Sequence, residues 1–516
     1  MGSARKISAL AIAVVLLFGL LTACSDNKET NGGTNAPATN KETTAGGEAE
    51  GTAKPTATEK ITLTFVTPGG EPTDAQKRWD AINKKMADDG LNIEIKFTFI
   101  GWDAWEQKTN LMLTSGESFD NLTVMEDWIR TAVYAGRGAI LPIDEYLDKY
   151  PNLKAAFPDY VWENMRINGK IYAVPVFYRE WANDYEEMSY RKDLLDKYDL
   201  PVPATVQEMI ETADKIKQAE KDPSLYIVKK PNNVMHTIHR EYDTYPFNVV
   251  DDLIYVDQQG IVKSWVETPE FKQDSLYFRD MYKRGLIHPD ILTLPLDQVT
   301  KPTVEGTALF AMGNVNENIV QIKAAKPEAE YAVFRFAPDK PKMRPLLGNA
   351  NAIPKSSEHP EAMIQFYDWL YSKQENYDLL VYGFEGDWFK DLGPGKMELL
   401  RPVGNEVDFP EWKVGNYKYV RFASNLHPSL IESRKIDESV VNAINLGFVF
   451  DTEAVSVEYA NLLAEIKTSV YPLKMGVADF DSFYPKALDK LKKAGLDKVV
   501  AAYKEQFEAW LAAKGK

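Results

Sequence analysis

Ile61-Thr62-Leu63-Thr64-Phe65-Val66, running into Thr67-Pro68-Gly69-Gly70, opens the globular part of the chain. Apolar and polar residues alternate up to Val66, the pattern of a buried strand, and proline and glycine then end it in a turn. A helical stretch follows from Thr73 to Ala87. The rhythm repeats: Asn92 to Ile100 alternates as a second strand, Trp105 to Ser115 reads as a helix, and Asn121 to Met125 is a short apolar strand after Phe119-Asp120. Strand, helix, strand in this order predicts an α/β fold with a parallel sheet. Its ligand crevice lies outside the carboxyl ends of the strands, so residues just after each strand become candidates for a site.

Composition narrows the chemistry. The chain has 516 residues, 44% hydrophobic and 26% charged, the balance of a soluble globular protein with room for two to four domains. Lys and Arg number 60 against 76 Asp and Glu, a net charge of -16 with no long basic run, so the electrostatic footprint of a nucleic-acid binder is missing. One cysteine forms no internal disulfide, and five histidines offer few ligands, so neither a cofactor nor a metal is expected. His236 and His239 have HxxH spacing near Glu241, but no glutamate stands between them as in HExxH. Asp479 and Asp481 lack the spacing and the glycine of a calcium loop. With so many acids, choosing two as a glycosidase pair would be arbitrary, and no GxSxG, P-loop or GxGxxG stands in its required context.

The N-terminus reads as an address. Arg5 and Lys6 precede an apolar run from Ile7 to Leu21, too short for the roughly 20 residues that span a bilayer and shaped like the core of a signal peptide. Leu21-Thr22-Ala23-Cys24 resembles the bacterial lipoprotein box, which implies signal peptide 1–24 and a lipid on Cys24 as the first mature residue. Residues 25–59 are small and polar, without leucine or aromatic residues, and cannot build a core. As a coil this tether spans roughly 30 Å.

Ile167-Asn168-Gly169-Lys170-Ile171-Tyr172-Ala173-Val174-Pro175 is a turn feeding a strand, and Tyr190-Arg191-Lys192-Asp193-Leu194-Leu195 opens a helix. These segments resemble the extracellular solute-binding proteins that deliver sugars to bacterial ABC importers. So do, in the same order, Asn110 to Gly116, Gly138 to Asp144, Gly285 to Asp290 and Gly306 to Gly313. Gly447-Phe448-Val449-Phe450-Asp451 and the helical run from Leu488 to Trp510 are similar to the C-terminal extension of the LplA- or LipO-like lipoproteins of Gram-positive bacteria. The resemblance implies a two-lobed, type II periplasmic-binding-protein-like fold, with hinge strands joining the lobes and the ligand cleft between them. It implies an N-terminal lobe of 60–177 plus 349–400 and a C-terminal lobe of 178–348 plus 401–516. The crossings are expected after Val174-Pro175, near Gly348-Asn349 to Pro354, and near Gly393 to Gly404. It further implies a monomer held on the extracellular face of the cell membrane through Cys24, taking an oligosaccharide to permease subunits without catalysis.

Sugar binding needs flat rings for the C-H face of a pyranose and polar side chains for its hydroxyls, and the chain carries 11 Trp and 26 Tyr. Glu126-Asp127-Trp128 follows the third strand, although the acids could cap the next helix and Trp128 could pack on its own lobe. Tyr178-Arg179-Glu180-Trp181 follows the first crossing, with an interlobe ion pair as the alternative use. Tyr245, flanked by Tyr242 and Phe247, resembles the aromatic region of maltose-type binders. Asn314 and Asn316 in Gly313-Asn314-Val315-Asn316 offer paired amides at the end of a strand from Thr307 to Met312. Asn349 stands at a crossing, and Trp388 ends Glu385-Gly386-Asp387-Trp388, similar to the family's Glu-Gly loop. Gly69-Gly70 could present N-H groups to a ligand or form a plain turn, and Trp102 and Trp105 could line the crevice or pack a helix start. Arg179 or Arg240 could pair with a uronate. Two other readings stay open: a surface-anchored glycoside hydrolase or lyase, and the same scaffold used for a peptide or another small solute.

Overall fold

A computed structural model describes residues 60–515, except 73, 127–130, 230–235, 313–321, 323–324, 346–347 and 402–408 and the side chains of 181, 184, 236 and 296. Cys24, Asp127, Trp128, Asn314 and Asn316 therefore lie outside the described residues, as does the side chain of Trp181. Strand β1 (Ile61–Pro68) pairs in parallel with β2 (Ile93–Ile100) along its whole length, Ile61 opposite Ile93 and Pro68 opposite Ile100. The helix Ala75–Asp88 covers them by burying Trp79, Ile82 and Met86, spaced to fall on one face. The Trp79 ring lies 4.2 Å from that of Phe97.

Strand β3 (Asn121–Val124) adds to β1 in parallel. The sheet is completed by β4 (Ala173–Pro175) and by β12 (Ala350–Ala352), in the order β2-β1-β3-β12-β4. The strands read from the opening sequence are parallel as expected. Only β12 runs against its neighbours, Ala350 meeting both Val124 and Pro175. The carboxyl ends of β1, β2, β3 and β4 and the amino end of β12 thus share one edge.

Among the sheets built by residues after Glu180, two anchor the other main cores. The first has the order β11-β5-β10-β6, from β5 (Met188–Arg191), β6 (Tyr226–Val228), β10 (Ala308–Met312) and β11 (Tyr331–Phe334). Tyr190-Arg191, expected to open a helix, instead ends β5, because both residues pair with β11; the helix starts at Lys192. The second is the antiparallel meander β7 (Phe247–Val250), β8 (Ile254–Asp257) and β9 (Val262–Ser264).

Three main cores follow these sheets. One surrounds the first sheet and draws on residues from Leu63 to Tyr178 and from Ala350 onward, including Phe409, Val414 and Val420. A second surrounds β5, β10 and β11. In the third, the meander packs against C-terminal helices through Trp265, Phe271, Leu473, Leu491, Tyr503 and Phe507. The helical run expected from Leu488 to Trp510 is two helices, Phe480–Ala494 and Leu496–Ala513. They break at Gly495, whose φ of 109° belongs to the left-handed region and where a Cβ would lie 2.5 Å from Glu458 Cγ.

Candidate functional site

The shared edge of the first sheet begins at Gly69, where φ is 100° and the N-H donates to the Ile100 carbonyl at 2.9 Å. A Cβ there would make only ordinary contact, 3.7 Å from Trp102 Nε1 and 4.0 Å from Lys413 Nζ, so the positive φ rather than lack of space is what calls for glycine at this turn. The two tryptophans considered after β2 divide their uses. Trp105 is buried at the start of its helix, whereas Trp102 is 43% exposed. Its ring lies 5.6 Å from that of Trp412, the planes tilted by 40°. Beside this pair opens a cavity of about 660 Å³, lined by Gly69, Gly70, Glu71, Phe99, Trp102 and Asp103 among others.

Lys413 lies beneath the rings. Its Nζ donates to the Pro68 carbonyl at 2.9 Å and lies 4.9 Å, 5.3 Å and 5.2 Å from the ring centres of Phe99, Phe409 and Trp412. Burial pulls its pKa down to about 7, while the carbonyl and the ring faces favour the charged form. A line of amides fixes this segment to the sheet: Tyr367 donates to Asn121 at 2.9 Å, Asn121 to Asn351 at 3.1 Å, and Asn351 to the Lys413 carbonyl at 2.7 Å. Asn349 donates to the Trp412 carbonyl at 3.3 Å, which places this candidate against the same segment.

At the end of β4 three stretches of chain run side by side. Val176 N-H donates to the Asn349 carbonyl at 2.9 Å, Phe177 N-H to Gly415 at 2.8 Å, and Tyr417 N-H to Phe177 at 2.7 Å. Tyr178 is buried in the first core, with the Arg179 guanidinium 4.8 Å over its ring. Glu180, fully buried, accepts from Arg344 at 2.8 Å and from Ala182 N-H at 3.2 Å, which caps the helix Trp181–Glu186. This ion pair ties the outgoing chain to the segment that leads back to β12. Burial and the Glu180 charge push the nearby Tyr160 hydroxyl up to about 12, against the opposing pull of Arg344.

Other candidates stand elsewhere. Glu126 is buried and accepts from Thr131 N-H at 2.8 Å and from its hydroxyl at 2.5 Å, the capping use weighed above. The Tyr245 hydroxyl donates to buried Glu186, which also binds Arg240 and the Met343 N-H. Arg240 spends its remaining donors on the carbonyls of Phe336, Ala337, Lys340 and Pro341, so it does not face a crevice. Trp388 is 4% exposed, with Arg401 3.4 Å and Arg78 4.7 Å from its ring centre. His239 pairs with Asp274 at 2.9 Å, and Asp479 caps a helix by accepting from Ser482 N-H at 3.3 Å. Among the described residues no group of three or more His, Cys, Asp or Glu could hold a metal ion.

The edge therefore joins Trp102 and Asn349, both considered from sequence, with Glu71, Asp103, Trp412 and Lys413, which were not. Glu71 and Asp103 follow β1 and β2, where the strand-end rule could have found them. Trp412 and Lys413 arrive more than 300 residues after their contacts at Pro68 and Trp102, and no local pattern signals that meeting.

Residues 69–377 match the bacterial extracellular solute-binding protein family, and residues 444–512 match a domain of unknown function. The chain belongs to that solute-binding family. It is 24% identical over 459 residues to a carbohydrate ABC transporter substrate-binding protein of Streptococcus pneumoniae, covering 83% of this chain and 86% of the relative. It is 24% identical over 322 residues to the polygalacturonan/rhamnogalacturonan-binding protein YtcQ of Bacillus subtilis, covering 57% and 61% of the two chains. The crystal structure of the N-glycan transport solute-binding protein NgtS from S. pneumoniae superposes with a TM-score of 0.73 at 20% identity, covering 88% of this chain and all of that one. The fold is thus the two-lobed, type II arrangement expected from sequence. The family and these relatives are binding proteins.

Proposed function

We propose that this protein is the substrate-binding lipoprotein of an ABC importer, which captures an oligosaccharide outside the membrane and hands it unchanged to the permease. The observation that carries the reading is the Trp102–Trp412 pair standing over an open cavity at the carboxyl edge of the first sheet. Rings in that position offer a sugar face an apolar platform, and the adjacent acids and amides offer partners for its hydroxyls. The names of the relatives support the ligand class.

In this reading Cys24 carries the lipid, and residues 25–59 hold the body off the membrane on the extracellular side. The first lobe comprises 60–177 with 349 to about 423, and the second 178–348 with the remainder. Placing the last crossing near Ala423 follows the packing of Phe409, Val414 and Val420 on the first core. It also follows from Gly393, which lies between the paired strands Phe389–Asp391 and Lys396–Leu399. The stretches at Val176 to Glu180 and at Gly348-Asn349 form the hinge, and ligand binding selects the closed state because that state alone contacts the sugar from both lobes.

Titration of the purified body with an oligosaccharide panel, read by tryptophan fluorescence and thermal shift, tests the proposal. One or more sugars should raise the melting temperature, reduce the radius of gyration in solution scattering and be recovered intact by chromatography. Cleaved product, or no response to any saccharide, would refute it.

A further inference from the structure

Resting on that reading, we propose that Glu411 is a positioning residue for sugar capture, which draws the second lobe toward the Trp412 wall by pairing with Arg434 across the last crossing. Glu411 begins the short helix Glu411–Val414 and stands next to Trp412. That stretch belongs to the first lobe. Phe409 and Val414 pack in its core, and the carbonyls of Trp412, Lys413 and Val414 accept from Asn349 at 3.3 Å, Asn351 at 2.7 Å and the Tyr371 hydroxyl at 2.9 Å. Arg434 belongs to the second lobe. It follows the helix Pro428–Ser433, whose Leu430 packs with Val228, Ala308 and Tyr331 and whose Ser429 hydroxyl accepts from the Val333 N-H of β11 at 3.1 Å.

The Glu411 carboxylate divides its oxygens between the lobes. Oε1 accepts from the hydroxyl of Tyr382, which in turn accepts from the Arg421 N-H at 2.8 Å, and Oε2 accepts from Arg434 Nη1 at 3.1 Å. The side chains of the ion pair are only 13% and 11% exposed, so water screens their attraction less than it would a surface pair. The tie is made one residue from Trp412, on a stretch fixed to the sheet edge that borders the cavity. A sugar held between the lobes needs the second lobe close to that edge, so the pair and the ligand favour the same arrangement and each raises the population that the other uses. The neighbouring ion pair of Arg421 with Asp378 at 2.9 Å lies within the first lobe alone and supplies the comparison.

Calorimetric titration of the intact chain, of Glu411→Gln, of Arg434→Met and of the double variant with gluco-, galacto- and manno-oligosaccharides tests the tie, with solution scattering before and after saturation. Glu411→Gln keeps an acceptor for Tyr382 and removes only the charge. Each single variant should bind the best of these sugars about tenfold more weakly than the parent, and the double variant no more weakly than the singles. The sugar-free radius of gyration should rise in the variants while the saturated one matches the parent. Asp378→Asn should lower the melting temperature and leave affinity within about twofold. Single variants that bind within about twofold of the parent, losses that add in the double variant, or an equal loss at Asp378→Asn would overturn the role of Glu411 while leaving sugar capture standing. A parent that binds no saccharide would overturn both.

Discussion

Two clusters of aromatic residues, one around Trp102 and Trp412 and the other around Tyr245, Phe247, Tyr255 and Trp265, are equally rich in rings and opposite in use. In the second cluster Phe247 and Tyr255 lie 4.7 Å apart, Trp265 stacks on Tyr255, and each is 2% exposed or less. The Tyr245 hydroxyl is taken by Glu186, so neither its face nor its polar end is offered to a ligand. Trp102 is 43% exposed beside the cavity, and the polar groups nearby either line the cavity or, like Lys413, are satisfied beneath it. What separates a binding wall from a core is where its hydrogen bonds end.

The contrast breaks most sharply at Arg240. Arg240→Met leaves Glu186 charged and buried without its main partner, whose presence opposes the upward push of burial on the Glu186 pKa. A loss of about 3–5 kcal/mol is expected by denaturant unfolding. If the loss stays below about 1 kcal/mol, the knot around Glu186 is not structural.

On the open side, Trp102→Ala should weaken the best sugar by about 2 kcal/mol, roughly thirtyfold, with stability changed by less than about 0.5 kcal/mol. Trp412→Ala should act in the same direction. Tyr245→Phe reverses the pattern: about 1–2 kcal/mol of stability is lost because Glu186 forfeits one donor, while affinity is unchanged within about twofold.

Lys413, beneath the open wall, adds a pH slope. Unfolded Lys413 keeps its proton up to about 10.4, whereas the folded side chain releases it near pH 7. Between these values the unfolded state binds more protons, so this residue's contribution to stability rises with pH, by about 1 kcal/mol per unit. Lys413→Met removes the slope, and the difference in melting temperature between the parent and this variant should move in the parent's favour from pH 7 to 9. A flat difference would mean that the Pro68 carbonyl and the rings outweigh burial.

Much of the first lobe is legible in sequence because its strands and helices carry their own periodicities: β1 and β2 alternate, and the helix between them spaces Trp79, Ile82 and Met86 on one face. The edge of that sheet follows from the parallel rhythm, which is why Trp102 and Gly69-Gly70 are among the candidates. The rest is long-range. The antiparallel β12 and the Trp412-Lys413 segment reach the edge from far along the chain, and amides at Asn121 and Asn351 hold them there through bonds that no local pattern encodes. Tyr245 and Trp388 are candidates through resemblance, the one to the aromatic region of maltose-type binders and the other to the family's Glu-Gly loop, and in the structure both have charges as neighbours. Those charges are spent within the fold, on Glu186 with Arg240 and on the faces of Trp388 by Arg78 and Arg401. Residue type reports the capacity to bind a sugar, and only packing reports whether that capacity is already used.

The comparison reduces to one paired titration of Trp102→Ala and Tyr245→Phe with the same neutral oligosaccharide at one temperature. The account gives a roughly thirtyfold loss of affinity for the first and less than twofold for the second. Equal losses, or the larger loss at Tyr245, would place the ligand on the wrong wall and contradict it.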